Sequence, residues 1–132
     1  MARTVYVYVE GSDLHECAEQ LTAAFAGLAE EWKPLGAYLV NQVHERTPDM
    51  QPEDMADWFL GINLPLQRFS TREVDELLSF LQGLARTSGR EFVIGIAEES
   101  GITEDLVFIG ANYGEAERQL LLLHVAGSSQ AP

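Results

Sequence analysis

The sequence predicts an α+β fold in a single domain, and three observations lead to this prediction. The chain has 132 residues, a length typical of one domain with one core. Two segments carry apolar residues at helical spacing, and each follows a helix-start signal. Two short runs of β-branched and aromatic residues are typical of strands that are covered on both faces.

The first predicted elements are a central strand over residues 4–10 and a helix over 13–32. The strand reads Thr-Val-Tyr-Val-Tyr-Val-Glu, a composition that favours a strand covered on both faces. Asp13 and Glu16 have the spacing of a capping box, and Pro34 ends the helix. The apolar stripe of the helix consists of Leu14, Cys17, Ala18, Leu21, Phe25, Leu28 and Trp32.

Two further strands, over 37–43 and 58–64, are predicted to form a hairpin. Gly61 interrupts the second of these strands. The connection between them, residues 45–57, contains two prolines and many acidic side chains. A long, acidic and partly structured loop is therefore expected.

A second helix is predicted over 70–88, where the signals for a helix start and a helix stop are clearest. Ser70 and Glu73 form a capping box, and Gly89 is typical of the residue just after a helix. The apolar residues at helical spacing are Val74, Leu77, Leu78, Leu81, Leu84 and Ala85.

The last predicted elements are strands over 91–97 and 106–109 and a possible helix over 114–125. The acidic start of the last segment favours a helix, but the leucine run 120–123 fits a strand as well. The first six elements of the order β-α-β-β-α-β-β-α match the split β-α-β plan called ferredoxin-like. The two most apolar strands are then central, and a fifth strand beside the fourth gives the sheet order 2-3-1-4-5. The expected fold is a mixed, mainly antiparallel sheet with helices on one face. The domain is expected to cover 1–126, followed by a flexible tail over 127–132.

The net charge distinguishes this chain from an average globular domain. The sequence has 21 acidic and 8 basic residues, a net charge of −13, and its pI is about 4.4. Acidic residues exceed basic ones in both halves, by 11 to 3 in residues 1–66 and by 10 to 5 in 67–132. Such a surface repels nucleic-acid phosphates and anionic membranes, and it attracts basic proteins or cations. A simpler interpretation is that the charge only keeps the protein soluble.

Cysteine content and hydropathy favour a cytoplasmic protein. Cys17 is the single cysteine, so no disulfide forms within the chain. The N-terminal residues lack the apolar run of a signal peptide, and no segment approaches the ~18 apolar residues of a membrane span. One lysine against seven arginines favours a GC-rich bacterial origin.

Motifs for enzymatic chemistry are missing from the sequence, which favours a binding protein over an enzyme. Neither glycine-rich phosphate-binding pattern occurs, and no serine stands in a nucleophile-elbow pattern. The three histidines are far apart, and Cys17 lies on an apolar stripe, so no metal or other cofactor is expected. The acidic residues within 49–57 lack the alternating ligands and the glycine of a calcium loop.

Nucleic acid is not expected as a partner. Tyr6 and Tyr8 on the first strand have the spacing to stack bases, but the third strand reads Trp-Phe-Leu-Gly-Ile-Asn-Leu. This strand lacks the basic-Gly-aromatic segment of an RNA-binding sheet, and the low pI is also unfavourable. Both tyrosines are expected to pack under helices or against a partner.

Two acidic segments are the candidate partner-binding sites. The first is the tip of the last hairpin, with Glu98, Glu99, Glu104 and Asp105. The second is the long loop, with Asp49, Glu53, Asp54 and Asp57, which leads into Trp58 and Phe59. Clustered carboxylates repel one another unless a cation neutralises them, and acids beside aromatics are typical of a charged rim around an anchor. The simpler interpretations are a solvated turn at the tip and the start of a core strand at Trp58.

A helix-then-strand pattern is prominent in the second half of the chain. It reads Ser-Thr-Arg-Glu-Val-Asp-Glu-Leu-Leu-Ser-Phe-Leu over 70–81 and Arg-Glu-Phe-Val-Ile-Gly-Ile-Ala-Glu-Glu over 90–99. With this pattern and its small size, acidity and low cysteine content, the chain resembles the immunity proteins that neutralise bacterial polymorphic toxins. The resemblance assigns no site residue. It implies binding and neutralisation of a basic partner, such as a toxin enzyme or nuclease domain. The alternative function is a small-molecule-binding or catalytic ferredoxin-like domain.

Overall fold

The computed structural model describes residues 3–9, 16–44, 57–112 and 114–129. Within these residues the chain forms five strands and three α-helices, which confirms the predicted α+β class. In chain order the elements are β1 (Arg3–Val9), α1 (Ala18–Glu31), β2 (Tyr38–His44), β3 (Asp57–Pro65), α2 (Thr71–Ser88), β4 (Phe92–Glu98), β5 (Thr103–Ile109) and α3 (Glu115–Ser129). Single 3-10 turns follow α1 and β3.

The strands form one sheet in the order β2-β3-β1-β4-β5, as predicted. All four pairings are antiparallel, so the predicted mixed, mainly antiparallel sheet is antiparallel throughout its described strands. β1 lies in the centre, where Tyr6 is opposite Asn63 of β3 and Gly95 of β4. A β-bulge at Ile94 and Gly95 gives β5 one extra residue relative to β4.

One face of the sheet packs against the helices and forms the core. Val5, Val7 and Val9 of β1 are buried on this face, because alternate side chains of a strand point to the same side. Leu21 of α1 and Leu81 of α2 have no exposed surface and belong to the same cluster. Other fully buried positions are Phe25, Leu60, Ile62, Leu64, Leu77, Leu78, Phe92, Ile94 and Ile109. The helices therefore lie on one face of the sheet, as predicted.

Helix α2 begins and ends where the sequence predicts. The backbone N–H of Ser70 donates to the Glu73 carboxylate at 2.9 Å, and the Ser70 side chain completes the capping box. Gly89 follows the helix with φ of 72°, and its N–H donates to the Ala85 carbonyl at 2.8 Å. Glycine adopts this left-handed conformation without strain, which explains the stop.

Helix α1 begins at Ala18, later than the predicted start at residue 13. The Leu21 N–H donates to the Cys17 carbonyl at 2.9 Å, so helical hydrogen bonding starts at Cys17. Cys17 is buried, as its place on the apolar stripe predicts, and provides no side-chain cap. The predicted capping aspartate, Asp13, lies outside the described residues. The helix ends before Pro34, as predicted.

Helix α3 confirms the predicted C-terminal helix and packs beside α2 and β5. Leu121 is buried in the core, and Arg118 Nε donates to Asp75 Oδ1 of α2 at 2.7 Å. The helix continues to Ser129, so it includes the first three residues of the predicted tail. Residues 130–132 lie outside the described part of the chain.

Candidate functional site on the open face of the sheet

The face of the sheet turned away from the helices carries aromatic and polar side chains, and we call it the open face. Strand alternation places every second residue of β1 to β4 on it, and in β5 the bulge puts Asp105 and Phe108, three positions apart, on the same face. Its side chains are those of Thr4, Tyr6, Tyr8, Tyr38, Val40, Gln42, Phe59, Asn63, Val93, Ala97, Thr103, Asp105 and Phe108. Tyr6, Val40 and Val93 are buried there without belonging to the core cluster under the helices. The sheet therefore has a second packing layer of its own.

One row of residues crosses all five strands at the same level. The register aligns Tyr38, Asn63, Tyr6, Gly95 and Asp105, from β2 at one edge to β5 at the other. The Tyr6 hydroxyl donates to Oδ1 of Asp105, and Asn63 Nδ2 donates to the Tyr38 hydroxyl at 3.2 Å. Side-chain hydrogen bonds thus hold both ends of this row in place.

A second row, next to the first, carries Tyr8. Its hydroxyl donates to Oδ1 of Asn63 at 2.9 Å, so Asn63 accepts from one tyrosine and donates to another. These bonds orient the Asn63 amide and connect β1, β3 and β2 through side chains alone.

Gly95 makes room for the ring of Tyr6. A Cβ atom at position 95 would overlap the hydroxyl end of the Tyr6 ring and the backbone carbonyl of Glu104. Because position 95 has no side chain, Tyr6 can lie across β4 and reach Asp105 on the next strand. An aromatic ring over a strand glycine also shields the bare backbone from water. The position of the Tyr6 ring therefore depends on a glycine at position 95.

Aromatic rings form a continuous cluster on the middle strands and become exposed towards the edges. The rings of Tyr6 and Tyr8 stack with centroids 5.2 Å apart, and Tyr8 meets Phe59 edge-on at 5.6 Å. Phe59 is 38% exposed, Tyr38 on edge strand β2 is 56% exposed, and Phe108 on edge strand β5 is 51% exposed. Scattered exposed apolar residues are ordinary, but several large rings on one face are typical of a binding surface.

The two central tyrosines are held in their neutral form. Burial raises the pKa of the Tyr6 phenol, and its hydrogen bond to the Asp105 carboxylate raises that pKa further. Burial also raises the pKa of Tyr8, against the opposing effect of its bond to Asn63. Both phenols are therefore hydrogen-bond donors at neutral pH. The open face therefore offers aromatic contacts and hydrogen bonds, which are the interactions of a binding surface.

The structure corrects one of the two alternatives expected for Tyr6 and Tyr8. The sequence predicts that both pack under helices or against a partner, but the helices of the described residues cover the opposite face of β1. Tyr6 is nevertheless almost fully buried, by its stacking on Tyr8 and its place over Gly95. Strand β1 is therefore covered by helices on one side and by its own neighbours on the other.

The structure corrects the predicted acidic tip: only Glu99 lies in the β4–β5 turn, whereas Glu98 ends β4 and Glu104 and Asp105 belong to β5. All four residues are exposed. The turn closes with Glu98 N–H donating to the Ile102 carbonyl at 2.8 Å. Sheet alternation then divides the tip: Asp105 pairs with Gly95 on the open face, whereas Glu104 pairs with Ile96 on the helix side. The four acids do not form one cluster, and Asp105 is the member that belongs to the open face.

The second predicted site lies largely outside the described residues. Asp49, Glu53 and Asp54 are not described, and Asp57 and Trp58 are described only as backbone of β3. Phe59, the next residue, lies on the open face. The structure thus places Asp105 from one predicted segment and Phe59, which follows the other, on the same face of the sheet but on strands separated by β1 and β4.

Sequence reasoning missed Tyr38, Asn63 and Phe108 as members of a candidate site. Tyr38 and Asn63 occupy alternate positions of their strands, so the period-two pattern contained a signal for them. Phe108 reaches the same face through the bulge in the β4–β5 pairing, which breaks that pattern. The glycine within β4 was a second signal, because a strand glycine often marks a close approach by another group. Neither signal indicates which face of the sheet the helices leave open.

Metal-binding clusters and membrane-spanning helices are two features that the described residues lack. Among the described residues, no group of three or more histidine, cysteine or acidic side chains is placed to hold a metal ion. None of the helices within the described ranges has the length and apolar character needed to cross a membrane. The cytoplasmic location stays a prediction.

Comparisons of the chain with protein-family profiles, curated proteins and solved structures give no match. The residues of this chain are therefore the basis for its proposed function.

Proposed function

We propose that the protein is an acidic binding module that docks a basic protein on its open face, as an immunity-type inhibitor docks a toxin enzyme. The observation that supports it most is the presence of exposed Tyr38, Phe59 and Phe108 on the same face as the Asp105 carboxylate. Aromatic side chains are the preferred anchors of protein interfaces. Surrounding acids add steering and select the sign of the partner.

Charge favours a basic partner over a second copy of this chain. Each chain carries −13, so two chains that met face to face would repel each other over the Debye length of ~8 Å. A basic surface gains from the same field, which speeds its encounter with the acidic module. Neutralisation of an enzyme follows if the docked surface includes the basic residues of its active site.

A second candidate function is binding of a planar small molecule. The hydrogen-bonded chain Tyr8–Asn63–Tyr38 supports this alternative, because it presents an oriented amide and a phenol next to aromatic rings. Native mass spectrometry of the protein purified from its host separates the two functions. A bound metabolite of constant mass supports the small-molecule site, and a stoichiometric protein supports the binding module.

The decisive experiment compares two double variants as baits. Tyr38→Ala/Phe108→Ala removes the two most exposed rings of the open face, and Leu120→Ala/Leu123→Ala removes comparable exposed apolar area from α3. A basic protein should be captured by the wild type and by the α3 variant, and lost with the open-face variant. An acidic captured protein, or equal capture by both variants, overturns the proposal.

Association kinetics test the electrostatic part of the proposal. Glu98→Gln/Glu99→Gln removes two charges at the hairpin tip, and Glu30→Gln/Glu31→Gln removes two exposed charges from α1. Association of the captured protein should slow as salt rises, with a smaller change in dissociation. The tip variant should slow association more than the α1 variant. Association that is indifferent to salt and to both variants would mean that the charge serves solubility alone.

A further inference from the structure

We infer that the anchor of the basic partner is an arginine side chain, whose guanidinium group lies between Asp105 and Phe108. The inference rests on the proposed function and adds the chemical class of the contact. Asp105 offers the carboxylate on the open face, and Phe108 offers an exposed ring on the same edge strand.

The bulge in the β4–β5 pairing brings these two residues close together. Asp105 is opposite Gly95 and Phe108 is opposite Val93, so they occupy successive open-face rows although three positions separate them in sequence. Successive positions on one face of a strand are about 7 Å apart. That spacing lets a flat guanidinium contact the ring with its plane and the carboxylate with its edge.

Tyr6 fixes the direction of the Asp105 carboxylate. Its hydroxyl donates to Oδ1, and a carboxylate has about four acceptor sites on its two oxygens. Capacity thus remains for a partner's N–H groups, while the Tyr6 bond limits rotation of the side chain. Tyr6 itself is buried and stacked on Tyr8, so the carboxylate is held by a rigid support. A preorganised acceptor loses less conformational entropy when it binds.

Arginine fits this arrangement better than lysine. A guanidinium presents several N–H donors in one plane and stacks on aromatic rings, whereas an ammonium is a compact and strongly hydrated charge. Phe108 is 51% exposed, so its ring is accessible for a cation–π contact. The Asp105 carboxylate contributes a charge-assisted hydrogen bond on top of that contact. Discrimination between the two cations is therefore the signature of this site.

The test uses two synthetic probes, hexa-arginine and hexa-lysine, titrated into the ¹⁵N-labelled full chain at one ionic strength. Hexa-arginine should bind about 3–10-fold more tightly, because only the planar guanidinium stacks on the Phe108 ring while it also donates to the Asp105 carboxylate. Amide shifts should concentrate at Asp105, at Phe108 and along β4. Phe108→Leu, which keeps apolar area but removes the ring, should abolish the preference, and Phe108→Tyr should retain it.

Asp105→Asn should also abolish the arginine preference, while Glu99→Gln, which removes the same charge from the tip, should leave it unchanged. Asp105→Asn also weakens the hydrogen bond from the Tyr6 hydroxyl, so its melting temperature is compared with that of Tyr6→Phe. The Phe108 variants keep this hydrogen bond and therefore test the arginine preference independently of it. Equal affinities of both probes on the open face overturn this inference and leave the proposed function standing. Binding of both probes away from the open face overturns the proposed function as well.

Discussion

The two faces of the sheet are built from the same strands but in different ways. On the helix side, most alternate residues of the central strands are apolar, and α1, α2 and α3 bury them. On the open face, the intervening residues include aromatic and polar side chains, which ring stacking and side-chain hydrogen bonds hold in place. Leu60 has no exposed surface, whereas its neighbour Phe59 is 38% exposed.

The two faces therefore contribute differently to the stability of the fold and to the orientation of side chains for binding. Burial of aliphatic area is non-directional and provides most of the free energy of folding. Directed hydrogen bonds contribute less stability, but they fix side chains in defined orientations, which a binding surface needs. The helix side is therefore expected to determine stability, and the open face to determine recognition.

The largest effect is expected from Leu60→Ala compared with Phe59→Ala on β3. Leu60→Ala should lower the free energy of unfolding by about 2–5 kcal/mol, because it leaves a cavity in the core. Phe59→Ala should cost less than about 1.5 kcal/mol, because the Phe59 ring is already 38% exposed to solvent. Urea unfolding of both variants measures the difference. Equal losses would show that the open face is a second core.

The next effect compares two glycines. Gly95→Ala should lower stability by about 1–3 kcal/mol, because the new methyl group collides with the Tyr6 ring and the Glu104 carbonyl. Gly83→Ala in α2 is the matched control, since nothing lies within 4 Å of its added Cβ. It should raise stability by about 0.5–1 kcal/mol through helix propensity. Thermal unfolding that shifts in the same direction for both variants would contradict the role given to Gly95.

A smaller effect is expected at alkaline pH. The pKa values of Tyr6 and Tyr8 are raised in the folded state above the unfolded value near 10. The neutral phenols therefore contribute stability that is present below pH ~10 and is lost as pH rises through the higher folded values. Urea unfolding across this range should show that the free energy of unfolding falls with rising pH, and that it falls less steeply in Tyr6→Phe than in the wild type. Identical slopes in the wild type and Tyr6→Phe would show that ionisation of Tyr6 does not contribute to the pH dependence of stability.

The smallest effect expected is that of metal ions. The described residues hold no metal-ligating cluster, and the acidic residues within 49–57 do not have calcium-loop spacing. The melting temperature should stay the same with EDTA, zinc or calcium. A clear rise with calcium would restore the acidic loop as an ion site, because a ligand that binds only the native state stabilises it.

Local sequence determined most of the architecture. The capping box at Ser70, the left-handed stop at Gly89 and the apolar stripes on α1 and α2 are short-range signals, and α2 follows them. Composition also indicated that β1 is central and that β5 extends the sheet beyond β4. These features depend on residues a few positions apart, so a single sequence contains them.

Only the tertiary structure decided what the candidate site is. Period-two alternation in β1 separates Val5, Val7 and Val9 from Tyr6 and Tyr8, but both sets favour burial, so hydropathy does not tell which set the helices cover. The pairing of Tyr6 with Asp105 joins residues 99 positions apart and requires the strand order and the bulge. Division of the acidic tip between the two faces has the same origin. A charge pattern counts carboxylates along the chain, whereas the pleat of the sheet decides which of them share a surface.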